Sequence, residues 1–141
     1  MFPEFSHENL LEDIKRFVDR GDSLETTDPK SGWSLLHLAA ELQDLAAIEY
    51  LIKSGCNPNW RDNYGQTPLH ISVDSDIDGA IQTGEPIEYR ATMMLIDLGA
   101  DATIQNDKGE TPLDWVDRYG EQSRERFDEL VAHKRVVQTK Q

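Results

Sequence analysis

One acidic stretch has the residue types and spacing of a calcium-binding loop. Carboxylates stand at its positions 1, 3, 5 and 12 and a glycine at position 6, namely Asp74, Asp76, Asp78, Glu85 and Gly79. Such loops surround Ca²⁺ with carboxylate oxygens, turn sharply at the glycine and end on a bidentate glutamate. Gly84 and Pro86 disfavour the exit helix that must carry Glu85. The competing interpretation is an acidic excursion that lengthens a helix or forms a loop beyond it, and we adopt it, predicting no metal site.

Other chemistry-bearing residues indicate structure rather than catalysis. His37 and His70 stand at equivalent points of a repeated motif, and a repeated residue more simply serves a repeated structure than one reaction centre. The single cysteine, Cys56, occupies a position that a later copy fills with Ala100, which is typical of a small buried residue. The sequence has no cysteine pair, no His-x-x-x-His and no glycine-rich phosphate loop. We therefore expect no enzyme, no catalytic residues and no cofactor.

The charge balance restricts the class of partner. The 141 residues include 14 Lys and Arg against 27 Asp and Glu, a formal net charge of −13. Such a charge repels nucleic-acid phosphates and anionic lipid, so we expect neither nucleic acid nor membrane as a partner but a protein with a basic surface. The lone cysteine and the lack of a membrane-spanning or signal-like segment predict a soluble, cytoplasmic protein. We also expect the protein to be a monomer when free.

An internal repeat indicates which elements position these residues. The segment Gly32-Trp33-Ser34-Leu35-Leu36-His37 is echoed 33 positions later by Gly65-Gln66-Thr67-Pro68-Leu69-His70. A third copy starts at Gly109, 44 positions after Gly65, and a second glycine series shows the same spacing from Gly55 to Gly99. A single insertion of 11 residues between Val73 and Ala91 accounts for both offsets.

Each repeat unit predicts two helices. Thr67-Pro68 and Thr111-Pro112 place a hydroxyl cap before a proline at the first helical position, and glycines such as Gly55 suit the left-handed end of a second helix. We predict first helices near 34–42, 67–75 and 111–119, and second helices near 8–20, 44–54, 88–98 and 122–133. Because one unit cannot bury its own apolar face, the units must stack into an all-α solenoid.

At this point the chain resembles the ankyrin-repeat family, through Thr67-Pro68-Leu69-His70, the 33-residue period and Leu98-Gly99-Ala100-Asp101. The resemblance implies stacked antiparallel helix pairs with β-turn-like connections, capped at both ends, and histidine side chains that brace neighbouring turns. The third copy departs from the pattern, with Asp114 where histidine is usual. We predict one domain over residues 1–133, with about three full repeats, an N-terminal cap helix and an insertion near 74–90, followed by a basic flexible tail over 134–141.

In this family the turn tips and first helices form a concave binding face. Mapped onto this chain, and with the acidic insertion added, the face gives these partner-binding residues: Trp33, Glu41, Arg61, Asn63, Tyr64, Gln66, Asp74, Asp76, Asp78, Glu85, Asp107, Lys108, Arg118 and Tyr119. The best hypothesis is an acidic inhibitor or immunity protein that neutralises a basic toxin, such as a nuclease domain. The alternatives are an intracellular adaptor or enzyme regulator and, less favoured, a calcium-dependent interaction protein.

Overall fold

The computed structural model describes Phe5 and residues 8–139, with side chains described as far as residue 134. Across these residues the chain forms helices and turns without a β-strand. The helices are α1 (Leu10–Asp19), α2 (Leu35–Glu41), α3 (Leu45–Lys53), α4 (Pro68–Thr83), α5 (Arg90–Asp97), α6 (Pro112–Arg118) and α7 (Glu121–Thr139). None of them is long and apolar enough to span a membrane. The predicted all-α repeat solenoid is confirmed.

The repeated motif starts α2, α4 and α6 in the same way. Ser34, Thr67 and Thr111 are the N-cap residues, and each is extended. In each case the third helical residue bonds back to the cap backbone: His37 and His70 through Nδ1, and Asp114 through a carboxylate oxygen. This reciprocal capping box satisfies N–H groups that a helix start otherwise leaves unpaired. Asp114 therefore replaces the histidine as a cap.

The helices stack in two layers. The first helices α2, α4 and α6 pack side by side in an inner layer, while α1, α3 and α5 form an outer layer. A main apolar core runs between the layers from Leu10 to Leu95, and a second core around Val73, Ile77 and Trp115 receives partly buried side chains of α7. Adjacent repeats thus share their apolar surfaces, which makes each unit depend on its neighbours.

The insertion lengthens a helix, which was one of the two interpretations of this acidic stretch. α4 has 16 residues, against seven in α2 and in α6, and it ends at Gly84 in the left-handed conformation that glycine adopts without strain. The chain returns to α5 through Tyr89, which is buried and has a φ of 50°. The Tyr89 hydroxyl bonds to Ser123, and its ring meets Phe127 edge to face, 5.4 Å between centroids. These contacts attach the insertion firmly to α7.

Two predicted boundaries need correction. We predicted a helix end near 75 for α4, but helical hydrogen bonding continues to Thr83 because buried Asp76 and Ile77 pack this extra part of the helix against the protein. We predicted that α7 ends at 133, but it continues to Thr139, so residues 134–139 of the predicted flexible tail are helical. A contact of Lys134 with Asp97 ties the start of that extension to α5. Residues 140–141 lie outside the described residues, and flexibility of the tail stays a prediction.

Candidate protein-binding face

The turn tips between repeats form a continuous row. The backbone N–H of Asn63 donates to the carbonyl of Ser31 at 2.9 Å, and that of Asp107 donates to the carbonyl of Tyr64, also at 2.9 Å. Asn63 adds a side-chain bond to the Lys30 carbonyl at 2.9 Å. We call this row (30–32, 63–65 and 107–109), together with the exposed side chains of α2, α4 and α6, the inner face. Its turns are held in register by main-chain bonds, so side chains on the tips are presented on a rigid support.

Two buried histidines brace the row from beneath, as the family resemblance implies. Nε2 of His37 lies 2.8 Å from the carbonyl oxygen of Gln66, and Nε2 of His70 lies 2.8 Å from that of Glu110. Since Nδ1 of each ring accepts a backbone N–H, Nε2 carries the proton and donates it to the next repeat. Burial lowers the pKa of both imidazoles, so the neutral form that this geometry needs is favoured. These histidines are structural.

Several predicted partner-binding residues are also engaged in holding the row together. Trp33 donates its indole N–H to Asp62 at 3.1 Å and stacks on His37, with ring centroids 5.9 Å apart. Arg61 donates to the carbonyls of Gly65 and Gln105, each at 3.2 Å. Gln66 supplies the carbonyl for the first histidine and has a half-buried side chain. Because these groups already have internal partners, they shape the inner face more than they offer free contacts.

At the C-terminal end of the face, two predicted residues have partners within the protein. Arg118 lies over the ring of Trp115, 5.1 Å from its centroid, and pairs with Glu110 at 2.6 Å. The Tyr119 hydroxyl donates to the Asp74 carboxylate and thereby links α6 to α4. That hydrogen bond, reinforced by burial and by the charge of Asp74, raises the pKa of Tyr119 to about 12.

The remaining predicted residues are exposed on the surface. Tyr64 stands on a turn tip with 67% of its surface exposed, and its hydroxyl has no hydrogen-bond partner within the described residues. Glu41, Asp78, Glu85, Asp107 and Lys108 are exposed. Asp78 accepts a hydrogen bond from Gln82 of its own helix at 3.1 Å, and Asp107 pairs with Arg61 at 3.4 Å. The inner face thus offers a partner the exposed ring of Tyr64, the less exposed ring of Tyr119 and several exposed acids.

We predicted Asp76 as a partner-binding residue, and this prediction needs correction because its side chain is buried. It is 5% exposed, accepts from Gln43 at 2.8 Å, and accepts from both the backbone N–H and the hydroxyl of Thr92, at 3.0 and 2.7 Å. Burial raises the pKa of this carboxyl, although the donors around it act in the opposite direction. It is the ninth residue of α4 rather than part of a loop, and its bonds to Thr92 fasten α4 to α5.

The calcium-loop geometry is contradicted by the same arrangement. Residues 74–83 of the motif are α-helical, whereas a calcium loop must wrap around its ion. Asp74 is bound to Tyr119 and Asp76 to Thr92, so the two carboxylates lie against different neighbours. Among the residues that the structure describes, no group of three or more His, Cys, Asp and Glu side chains is placed to hold a metal ion.

Sequence reasoning missed the anchors below the turn tips. Asp62 accepts hydrogen bonds from the backbone N–H groups of Tyr64 and Gln66 at 2.8 and 2.9 Å. Asn106 accepts hydrogen bonds from the backbone N–H groups of Lys108 and Glu110 at 2.9 and 3.0 Å. Both side chains are buried. The signal was present, since Asp62 and Asn106 are separated by the same 44 positions as the repeats.

Comparisons with known proteins agree with this architecture. The family model described as "Ankyrin repeats (3 copies)" matches residues 5–83. Protein phosphatase 1 regulatory subunit 27 of Mus musculus is 36% identical over 118 residues, which is 83% of this chain and 69% of that protein, and the Homo sapiens protein gives the same values. Neurogenic locus notch homolog protein 1 of Homo sapiens is 34% identical over 100 residues, 71% of this chain but 4% of that protein. The chain therefore belongs to the ankyrin-repeat family, whose repeats form protein–protein interaction modules.

Proposed function

We propose that this ankyrin-repeat protein acts without catalysis, as a regulator that binds a basic surface of an enzyme through its inner face. The observation that carries the proposal is the exposed ring of Tyr64 on a rigid turn tip. The exposed acids Glu41 and Asp78 lie on α2 and α4 of the same face, and Glu85 follows the end of α4. An exposed aromatic anchor with surrounding charge is typical of a protein contact. The likeness to a protein named as a phosphatase regulatory subunit supports an enzyme as the partner.

Charge and shape have separate tasks in this proposal. The acids steer a basic partner toward the face, because exposed charges act over roughly 10 Å at moderate salt. Tyr64, once covered, sets the lifetime of the complex, since differences in affinity between related interfaces lie mainly in the dissociation rate. The protein binds as a monomer, and neither nucleic acid nor membrane takes part.

The experiment is affinity capture of partners followed by binding kinetics. The captured partner's association rate should fall as salt rises, and a variant with Glu41→Gln, Asp78→Asn and Glu85→Gln should associate more slowly. A matched control changes three exposed acids away from the inner face, Glu12→Gln, Asp19→Asn and Glu125→Gln, and so removes the same charge.

Tyr64→Ala should raise the dissociation rate by at least tenfold, while Trp60→Ala, which removes an exposed ring elsewhere, should leave it nearly unchanged. Addition of the chain to the captured enzyme should change its activity, as regulation requires. Equal slowing by both triple variants would show that net charge alone matters, and the assignment of the inner face would then be wrong.

The narrower hypothesis, that the partner is a basic toxin and the chain its immunity protein, rests on small size and acidity alone. It predicts that co-expression protects cells from a toxin encoded next to this protein. Survival that depends on Tyr64 would support it, and the absence of protection would leave the enzyme-regulator proposal in place without the toxin.

A further inference from the structure

The outer layer carries an open apolar groove that the inner face does not use. Its volume is about 510 Å³, and it is lined by residues of α3, of α5 and the segment before it, and of α7, with none from α2, α4 or α6. The floor is formed by Leu45, Met93, Met94, Leu98 and Leu130. A volume of this size lies in the range of small-molecule sites, and two methionines give the floor an adaptable surface.

The groove exists because α7 does not continue the outer layer. α1, α3 and α5 pack in sequence, whereas α7 packs mainly on α6 and is not closely packed on α5. Tyr89 and Ser123 join its beginning to the insertion, and Lys134 reaches Asp97 near its other end. Between these two attachments the side chains of Met94 and Leu98 stay partly exposed, whereas Met93 is 5% exposed.

The charges on the rim leave one cation without a partner. Glu49 pairs with Lys53 at 2.6 Å, Glu88 pairs with Arg126 at 3.1 Å, and Asp97 pairs with Lys134. Arg90 also lines the groove, and its exposed side chain forms no ion pair or hydrogen bond within the described residues. Thus the groove combines an apolar floor with a single unpaired guanidinium, although the protein as a whole carries −13.

We infer that this groove binds a small anionic amphiphile, a carboxylate with an alkyl chain of about ten carbons, with its head group on Arg90 and its chain over Met94 and Leu98. A guanidinium is suited to a carboxylate because it donates in a planar, bidentate geometry. A folded protein partner would also have to desolvate the three rim ion pairs, which is costly. A single chain reaches the floor between them. The inference stands independently of the proposed function, since the two surfaces lie on different layers.

The methionines supply a direct readout. The chain has three, Met1, Met93 and Met94, so a spectrum of the protein labelled with ¹³C at the methionine methyl groups contains three signals. Sodium decanoate, added below its micelle concentration, should shift the Met93 and Met94 signals saturably and leave the Met1 signal in place. Acetate, which lacks the chain, and decyltrimethylammonium, which has the opposite charge, should not reproduce this saturation.

Arg90→Gln should weaken decanoate binding by up to about fivefold, the loss expected for one exposed charge pair. The matched control Lys108→Gln removes an exposed cation on a turn tip and should leave the affinity unchanged. Met94→Glu places a like charge in the floor and should abolish binding while the far-ultraviolet circular dichroism stays helical. The inference is overturned if decanoate causes no saturable shift, if the cationic probe binds equally well, or if Arg90→Gln binds as tightly as the wild type.

Discussion

Replacing His70 by alanine tests the claim that side-chain bridges between repeats hold the turn row in place. The His70 ring is fully buried, accepts the Thr67 N–H at 3.0 Å, lies 2.8 Å from the Glu110 carbonyl, and meets Trp115 edge to face with centroids 5.1 Å apart. Loss of two hydrogen bonds costs about 1 kcal/mol each, and the space left in a packed site adds at least about 1 kcal/mol. We expect the free energy of unfolding to fall by about 3 kcal/mol.

Urea unfolding followed by circular dichroism at 222 nm measures this change. His70→Asn separates the two hydrogen bonds, because asparagine can still cap the helix but is too short to reach Glu110, so it should lose less stability than alanine. His133→Ala, at an exposed position, serves as the control and should change stability by less than about 0.5 kcal/mol. A loss below about 1 kcal/mol for His70→Ala, with an unchanged dependence on urea, would refute the bridging role.

Three further predictions follow from the same geometry. Burial lowers the pKa of His37 and His70, so near neutral and mildly acidic pH the unfolded chain binds more protons than the folded chain. The free energy of unfolding should therefore fall as the pH drops through about 6.5. Urea unfolding at several pH values should show a smaller fall when both histidines are replaced by Asn. Gly65→Ala should lower the melting temperature more than Gly109→Ala. Both glycines have a positive φ, so either substitution strains the backbone. An added Cβ at Gly65 would also lie 2.9 Å from the Asp107 backbone nitrogen, whereas at Gly109 it would meet open space. Asp74→Asn should lower the pKa of Tyr119 from about 12 toward 10, as followed by ultraviolet absorbance, and an unchanged titration would refute the contact between the two side chains.

The fold was predictable because its determinants are local and repeated. Thr67-Pro68 and Thr111-Pro112 mark helix starts through their own backbone chemistry, and the 33- and 44-residue spacings place the copies in register. Solenoid contacts join neighbouring repeats, so a correct repeat pattern already implies most of the packing. The bracing role of His37 and His70 followed from the family resemblance, and the structure confirms it.

What only the tertiary structure decided concerns residues whose role depends on distant neighbours. Asp74, Asp76 and Asp78 alternate identically in the sequence, yet one binds Tyr119, one is buried against Thr92 and one faces solvent, because a helix turns successive alternate residues to different sides. No pattern in the sequence indicates the groove around Arg90. It arises because α7 leaves the stacking direction of the outer layer, so side chains separated by up to about 90 residues along the chain come to line one surface. Residue type and spacing thus determined the repeat, whereas burial and the direction of α7 decided which charges remain available to a partner.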